Sequence, residues 1–323
     1  MTMTESINLS PDALPEEFQA RVCEIYGERA PEVFHGMRQA QRPCFRVHGP
    51  NDEVDKVLAE LRALGIRPEP VDYCTNAFYC ARTERERLTH SAAASEGRIY
   101  IQNAASLIPV LVLAPRPDEC VLDLAAAPGG KTLHIASRME GRGMLSAVEK
   151  VKPRYFRLRE NLRRHGADFV RTFCMDGTWV KQKTPSRFDR VLLDAPCSSE
   201  ARFLIGEPDT FAHWSERKVS EMVRKQTRLL HAAIVATRPG GTIVYSTCSL
   251  APEENEGVIN RILKRHGDEV VIDTIEETYP NSMPGLSAFR GKEYTPEVSR
   301  TLRVLPDDNQ HAFFVARLTR VAS

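Results

Sequence analysis

Alternation of apolar segments with helical stretches constrains the fold of this chain more than any other feature of its sequence. Beyond about residue 98, six apolar segments predict strands, and stretches of helical character separate them. The six segments are 120–124, 143–149, 170–176, 188–194, 242–246 and 270–275. Such alternation indicates a parallel, doubly wound α/β sheet with helices on both faces. A last apolar segment, 312–318, has no helix after it, so we predict an antiparallel edge strand there.

The first hundred residues follow a different pattern. Residues 15–30 are amphipathic, residues 44–48, 66–71 and 77–81 predict strands, and a helix beginning at Asn51 or Asp52 ends at Gly65. A strand–helix–strand unit of this size is typical of a small RNA-recognition-like α+β domain. Because 323 residues exceed what one core usually holds, we predict an accessory domain over 1–97 and an α/β domain over 98–323.

Composition argues against several classes of protein. The 44 Lys and Arg against 43 Asp and Glu leave a formal charge of +1, so a nucleic-acid partner would have to bind local basic clusters. No two of the eight cysteines form a C-x-x-C pair, and we expect no metal. The first twenty residues contain no Lys or Arg, unlike a targeting signal, and no apolar run is long enough to span a membrane. We expect a cytoplasmic protein.

A loop of small residues, DLAAAPGGKT at 123–132, follows the first of the six strands and leads into a predicted helix over 132–139. Small side chains and two glycines let a ligand approach the backbone, and the helix start offers free N–H groups to an anion. In an amino-acid cofactor this anion would be the methionine carboxylate. The loop lacks the G-x-G-x-x-G spacing of dinucleotide sites. The alternative is a tight turn that binds nothing.

Acidic residues end four successive strands: Asp123, Glu149, Asp176 and Asp194. In doubly wound sheets, ligands bind at the carboxyl ends of the strands, and a carboxylate after the second strand binds ribose hydroxyls. We therefore predict that Glu149 binds a ribose and that Asp176 accepts a hydrogen bond from an adenine amine. Each carboxylate alone also fits a helix cap.

Two cysteines lie just beyond neighbouring strand ends, Cys197 in DAPCSS and Cys248 in YSTCSL, so both thiols can reach one site beside the cofactor. The alternative is that both are buried as small apolar residues. A thiolate is what methylation of cytosine at carbon 5 requires, because its addition at carbon 6 makes carbon 5 nucleophilic. Asp194 is placed to stabilise charge near ring nitrogen 3, and Cys197 can assist removal of the carbon-5 proton.

These motifs together resemble the Nop/Sun family of RNA cytosine-5 methyltransferases over roughly residues 40–320. The segments that carry the resemblance are YIQNAAS at 100–106, DLAAAPGGKT, AVEK at 147–150, DAPCSS at 194–199, RPGGTIVYSTCSLAPEENE at 238–256, and RVLP and HAFFVARL near the end. The resemblance implies a Rossmann-like methyltransferase sheet, S-adenosylmethionine as cofactor, and ribosomal RNA or tRNA as substrate. We expect a monomer.

The resemblance also implies roles for individual residues. Cys248 is the nucleophile and Cys197 helps release the product, whereas in DNA cytosine-5 methyltransferases the cysteine of the PC motif attacks. The implied cofactor contacts are Ala125, Ala126, Ala127, Pro128, Gly129, Gly130, Lys131, Glu149, Arg154, Asp176 and Asp194. The main alternative is a non-catalytic RNA-binding assembly factor that retains the fold, and a third is methylation of DNA or a small molecule.

The sequence departs from the family pattern at three places. Ala125 replaces a cysteine, and this change should be harmless because the position requires only a small residue. The usual glycines after DAPCS are replaced by Ser199-Glu200-Ala201-Arg202, which puts the shape of the substrate loop in question. Near the end, a glycine that usually precedes FF is replaced by Gln310-His311-Ala312. Two basic stretches are candidates for RNA contact or for solvated helix faces. They are Lys150, Lys152, Arg154, Arg157, Arg159, Arg163 and Arg164, and Arg217, Lys218, Arg224, Lys225 and Arg228.

Overall fold

The computed structural model describes residues 14–38, 40–49 and 51–321. Its N-terminal part contains a small antiparallel sheet. Its strands are β1 (Cys44–Val47), β2 (Glu69–Val71), β3 (Cys74–Tyr79) and β4 (Ile99–Gln102), in the order β2-β3-β1-β4. The helices of this part are α1 (Glu16–Tyr26), α2 (Ala30–Gly36), α3 (Asn51–Ala63), α4 (Arg85–Thr89) and α5 (Ala92–Ser95).

The last strand of this small sheet lies beyond the boundary expected at residue 98. Strand β4 pairs with β1 along its whole length, with Arg46 opposite Tyr100. Sequence periodicity did not predict this strand, because it is four residues long and only its first residue is buried. The small sheet therefore continues to Gln102, beyond the predicted boundary between residues 97 and 98. The division into domains over 1–97 and 98–323 stays a prediction.

The large sheet confirms the predicted α/β class. Five parallel strands, β5 (Cys120–Asp123), β6 (Met144–Glu149), β7 (Arg171–Cys174), β8 (Phe188–Asp194) and β9 (Thr237–Thr247), lie in the order β9-β8-β5-β6-β7. Helix α6 (Ile108–Leu113) precedes β5. The helices between the parallel strands are α7 (Gly130–Arg138), α8 (Lys152–Arg164), α9 (Val180–Lys183) and α10 (Glu216–Ala236), and α11 (Glu256–His266) follows β9. The strand order reverses between β5 and β8, and such a switch point is where ligands bind.

Both faces of the large sheet are covered. Val191 and Leu193 of β8 belong to one apolar cluster, together with Val22 of α1. Leu192, between them, belongs to the opposite cluster, together with Leu162 of α8. Successive residues of a strand point to opposite faces, so an apolar run without polar alternation fits a strand buried on both sides. Helix α1 thus packs on the large sheet rather than on the small one.

The prediction for segment 270–275 is wrong in direction. Strand β10 (Val270–Asp273) runs antiparallel to the last strand. After β10 come β11 (Ser282–Pro284), β12 (Ala288–Phe289), β13 (Lys292–Glu293), β14 (Leu302–Val304) and β15 (Phe313–Arg320). The predicted antiparallel pairing of the last strand is confirmed, since β15 pairs with β9, but β15 is internal because β10 and β14 cover its other side. With the free side of β9 taken by β15, β10 cannot extend the parallel series. The unpredicted strands have two or three residues, too few for a periodic pattern.

No helix among the described residues is both long and apolar enough to cross a membrane.

A buried ion pair ties α1, α11 and β14 together. The Arg303 guanidinium donates to both carboxylate oxygens of Glu256 at 2.6 Å, and also to the Tyr26 hydroxyl and the Leu250 carbonyl at 3.0 Å. Arg303 is 1% exposed and Glu256 is fully buried. Removing one partner of such a pair leaves an uncompensated buried charge.

We expect Glu256→Ala to lower the free energy of unfolding by about 3–5 kcal/mol. Glu160→Ala removes an exposed partner of Arg163 and should cost far less, because solvent screens exposed ion pairs. Urea denaturation of both variants checks the difference. Equal midpoints for the two variants would show that the buried pair does not support the fold.

Candidate active site

A cavity of about 590 Å³ opens at the switch point between β5 and β8. Its wall combines the loop after β5, the ends of β8 and β9, the start of β15 and the segment Tyr100–Asn103 of the small sheet. The residues predicted from the sequence that line it are Ala125, Ala126, Ala127, Pro128, Gly130, Lys131, Arg154, Asp194, Cys197 and Cys248. Loops at the carboxyl ends of these strands therefore meet the small sheet around one space.

Glycine is required at two positions of the loop after β5. Gly129 has a φ of +112°, which side chains rarely adopt. A Cβ at Gly130 would lie 2.5 Å from the ring of Tyr100, closer than any real contact. Helix α7 begins at Gly130, two residues before the predicted start, so its first N–H groups lie within the loop itself. Gly130 lines the cavity and Gly129 does not, so the start of α7 is the part of the loop that can offer N–H groups there to an anionic ligand.

Asp123 lies at the end of β5 and is 1% exposed. Its Oδ2 accepts a hydrogen bond from the Thr132 hydroxyl at 2.6 Å, whereas its Oδ1 has no partner among the described residues. Burial raises the pKa of Asp123 to about 7, although the hydrogen bond from Thr132 opposes this. A buried carboxylate oxygen without a donor at the cavity wall is available to a bound ligand.

Glu149 and Asp176 follow β6 and β7 and lie outside the wall of this cavity. Glu149 is buried, accepts from the Val151 N–H at 2.8 Å and has Arg154 at 3.5 Å. Arg154 also donates to the Ala127 carbonyl at 2.8 Å, so it joins this carboxylate to the loop.

Asp176 accepts from the Thr178 N–H and hydroxyl at 2.9 and 2.8 Å and from Lys150 at 2.7 Å. Burial alone would raise the pKa of Asp176, but Lys150 and Thr178 outweigh it and lower the pKa to about 2. Asp176 therefore caps the short helical turn that follows it, the alternative role considered for each carboxylate, and its contact with an adenine amine stays a prediction.

Asp194 is held by one donor on each oxygen. Lys131 Nζ lies 2.8 Å from Oδ2, and the Ser246 hydroxyl donates to Oδ1 at 2.9 Å. The Lys131 ammonium also lies 5.2 Å from the centre of the Phe313 ring. These contacts fix the orientation of a carboxylate that borders both the loop and the cysteines.

The structure brings the two predicted cysteines together. The sulfur atoms of Cys197 and Cys248 are 3.2 Å apart, and both thiols are free. The hydrogen bond from Cys197 lowers the pKa of Cys248; burial opposes this, and Arg202 at the cavity wall adds to it. The same hydrogen bond and burial raise the pKa of Cys197. The hydrogen bond therefore favours a thiolate on Cys248 over one on Cys197.

Two buried carboxylates that sequence reasoning missed hold the cysteine loops. Glu200 accepts from Trp214 Nε1 at 2.7 Å and from the N–H groups of Leu250 and Ala251 at 2.9 Å. Glu254 accepts from the Ser198 N–H at 3.1 Å and from the side chains of Gln226 at 2.6 Å and Ser249 at 2.8 Å. Burial and nearby Glu200 raise the pKa of Glu254 to about 7. The acidic run EENE after Cys248 was the available signal for Glu254.

The departures from the family pattern gather at this site. Ser199 has a φ of +62°, the left-handed conformation that favours glycine, so the loop keeps a turn that a glycine would make without strain. Arg202 and His311 both line the cavity. The His311 N–H donates to the Asn103 side chain at 3.0 Å, which ties the start of β15 to the end of the small sheet. Asn103 lies in YIQNAAS, a motif whose side-chain roles were not predicted.

Most residues of the first basic stretch are engaged within the protein. Arg163 and Arg164 pair with Glu160, and Arg157 lines the cavity. In the second stretch, Lys218 and Lys225 pair with Glu221. These ion pairs favour a solvated helix face for much of both stretches.

Cys120 and Cys174 lie within two of the apolar segments predicted as strands, which predicts a place in the core for both. For Cys174 this is wrong, because it is exposed at the edge strand β7. Cys120, expected there too, is partly exposed. Among the described residues, no three His, Cys, Asp or Glu side chains group as metal ligands.

Similarity to known proteins agrees with this arrangement. The family described as 16S rRNA methyltransferase RsmB/F matches residues 110–319. The chain belongs to the RsmB/F family of methyltransferases. Membership confirms the resemblance to the Nop/Sun family that the sequence motifs indicated.

Proteins similar to this chain come from both bacteria and archaea. The ribosomal RNA small subunit methyltransferase F of Aeromonas salmonicida (strain A449) is 33% identical over 95% of this chain and 64% of its own length. The tRNA (cytosine(49)-C(5))-methyltransferase of Pyrococcus abyssi (strain GE5 / Orsay) is 34% identical over 86% of this chain and 88% of its own. A crystal structure of a methyltransferase homolog protein from Pyrococcus horikoshii superposes with a TM-score of 0.82 at 31% identity. The superposition covers 97% of this chain and 100% of that one. The chain thus spans slightly less than two thirds of the bacterial relative.

We expect Cys248 to react with iodoacetamide with a pH midpoint below the ordinary value of about 8.5, because its thiolate is stabilised. Cys197→Ala removes the donor, so the midpoint should rise and the rate at neutral pH should fall. Mass spectrometry of the peptide that carries Cys248 measures the rate, and Cys174→Ala is the control at an exposed cysteine. An unchanged midpoint in Cys197→Ala would mean that the sulfur–sulfur contact does not set this acidity.

Proposed function

We propose that this chain transfers a methyl group from S-adenosylmethionine to carbon 5 of cytosine in RNA, with Cys248 as the nucleophile. The observation that carries the proposal is the pair of sulfur atoms 3.2 Å apart beside Asp194, in the same cavity as the loop after β5. A cofactor loop alone fits many transferases, whereas two adjacent thiols and a carboxylate fit this chemistry.

The residues present fit the cofactor. The backbone of Ala125 through Lys131 would hold the methionine part, since Gly129 and Gly130 leave it bare and Asp123 has a buried oxygen without a donor. Glu149 would bind the ribose and Asp176 the adenine amine. When bound, the cofactor supplies an electrophilic methyl group.

Cys248 begins the reaction. Its thiolate forms a bond to carbon 6 of the cytosine, and the electrons of the 5,6 double bond move toward ring nitrogen 3 and its carbonyl. Asp194, held by Lys131 and Ser246, lies at that edge of the ring, and a proton that passes from the Lys131 ammonium through its carboxyl group to ring nitrogen 3 neutralises the charge that develops there. Carbon 5 then becomes nucleophilic and takes up the methyl group.

Cys197 acts in the second half of the reaction. The proton on carbon 5 must leave before the bond between Cys248 and carbon 6 can break. While Cys248 is a thiolate, its hydrogen bond raises the pKa of Cys197. Once Cys248 is bonded to carbon it loses that charge, so Cys197 can ionise more readily and accept or relay the proton.

The names of relatives support RNA as the substrate. One methylates small-subunit ribosomal RNA by name and another methylates cytosine 49 of tRNA by name. We therefore propose ribosomal RNA or tRNA, with the target cytosine unstacked so that it can enter the cavity. Transfer of labelled methyl groups to ribosomal RNA and tRNA transcripts, with bisulfite sequencing of the product, tests both. Loss of all transfer in the intact protein would favour the non-catalytic assembly factor.

We expect Cys248→Ala to abolish both methyl transfer and any covalent adduct. Cys197→Ala should still attack and transfer the methyl group but should release product slowly, because the second half of the reaction loses its helper. A protein–RNA band that survives a denaturing gel, present only for Cys197→Ala, checks this. The opposite pattern would make Cys197 the nucleophile, and full activity in both variants would reduce both thiols to packing residues.

Loss of the Glu149 carboxylate should weaken cofactor binding selectively. We expect Glu149→Gln to lower the affinity for S-adenosylhomocysteine by about 1.5–3 kcal/mol, as for a hydrogen bond to a charged group. Glu160→Gln, at an exposed position on α8, is the control. Calorimetric titration measures both, and equal affinities in folded proteins would remove Glu149 from the site.

A further inference from the structure

A second cavity, of about 430 Å³, lies between α9, α10 and α11. No residue that lines it also lines the cavity of the two cysteines. The side chains that matter here are Trp179, Lys181, Arg228, His231, Arg265 and His266. Its wall begins at Thr178, two residues after Asp176, the carboxylate proposed to bind the adenine amine.

The Lys and Arg side chains that line this second cavity are three cations, and one carboxylate, Glu269, lies 2.8 Å from the lining residue His266. Lys181, Arg228 and Arg265 contribute cations from three different helices, and no Asp or Glu lines the wall. Within the part of the chain that the structure describes, none of the three forms an ion pair. Lys225, on the same helix as Arg228, is by contrast paired with Glu221 at 2.6 Å. Three unpaired cations around a concave surface repel one another and attract an anion.

Aromatic rings surround these cations. Trp179 is 55% exposed at the cavity, an unusual position for a large apolar ring. The rings of His231 and His266 are stacked 4.8 Å apart at 26°, and His231 Nδ1 is buried without a partner among the described residues. Aromatic faces interleaved with cations are the surface that single-stranded nucleic acid binds, by base stacking and phosphate contact.

We propose that this second cavity is a further RNA-binding site, in which Trp179 stacks on an unpaired base and Lys181, Arg228 and Arg265 bind successive phosphates. The inference rests on the proposed function for the identity of the nucleic acid. The distribution of the cations favours a polymer over a free nucleotide, because three helices each supply one cation to a cleft open at Trp179. The site explains Arg228, the residue of the second basic stretch that lines a cavity.

The test uses the full-length protein and tryptophan fluorescence. The chain has two tryptophans, and Trp214 donates to Glu200 away from this cavity. Oligouridylate should quench the emission, and Trp179→Phe should lose most of the quenching. Replacing Lys181, Arg228 and Arg265 together by Gln should weaken binding about tenfold at low salt. It should also flatten the dependence of log K on log salt by about 2, since each single-strand contact contributes roughly 0.7.

Matched controls decide between outcomes. Arg224→Gln removes an exposed cation of the same helix outside the cavity and should leave binding unchanged. The inference is overturned if quenching persists in Trp179→Phe, if the triple variant binds normally, or if uridine monophosphate binds as tightly as the oligomer, which would indicate a free-nucleotide site. Should the triple variant unfold, Trp179→Phe still decides. If the protein transfers methyl groups but Trp179 is not quenched, this second site is ruled out and the proposed activity stands. If Trp179 is quenched but no methyl group is transferred, the proposed activity is ruled out and the second site stands.

Discussion

The positions of the two cysteines depend on a reciprocal pair of buried carboxylates. Glu200 belongs to the loop after Cys197 and accepts from backbone N–H groups of the loop after Cys248. Glu254 belongs to the segment after Cys248 and accepts from the N–H of Ser198 in the other loop. Each loop therefore supplies the charge that binds the other. A buried carboxylate without donors is costly, so separating the two loops would cost free energy at both Glu200 and Glu254. These hydrogen bonds therefore hold the loops together and place the sulfur atoms 3.2 Å apart.

These anchors continue into the rest of the molecule. Gln226 of α10 donates to Glu254, and the buried pair of Arg303 and Glu256 reaches Leu250 in the loop after Cys248. The same network includes Tyr26 of α1. Helix α1, which the sequence assigned to an accessory domain, thus supports the loop of the proposed nucleophile. The loop after β5 consists of small residues, whereas the cysteine side of the cavity is built from side chains that must be held in place.

Local sequence signals predicted the parts of the protein that local physics specifies. Apolar runs predicted the parallel strands, and the small residues of DLAAAPGGKT predicted the tight loop after β5. Both features depend on residues that are neighbours in sequence. The direction of β10 was missed, since it depends on which strand occupies the free side of β9. Glu200 was noticed only as a departure from a glycine pattern, since its donors lie 50 and 51 residues away. Strand β4 was missed because its partner β1 lies in a different part of the chain.

The surroundings of the two sulfur atoms also bear on which one attacks, a question that the residue spacing left open. The atoms form one hydrogen-bonded pair, so distance alone does not distinguish them. Their neighbours do: the N–H of Ser198, next to Cys197, is bound to the Glu254 carboxylate, and negative charge there opposes a thiolate on Cys197. Asp194 in turn opposes a thiolate on Cys248, so a carboxylate opposes each thiolate, and Arg202, which favours the one on Cys248, is the neighbour that distinguishes the two sulfur atoms. The arginine supports Cys248 as the nucleophile, in agreement with the family pattern. This effect also gives Arg202, a departure from that pattern, a role in the chemistry rather than in the shape of the loop.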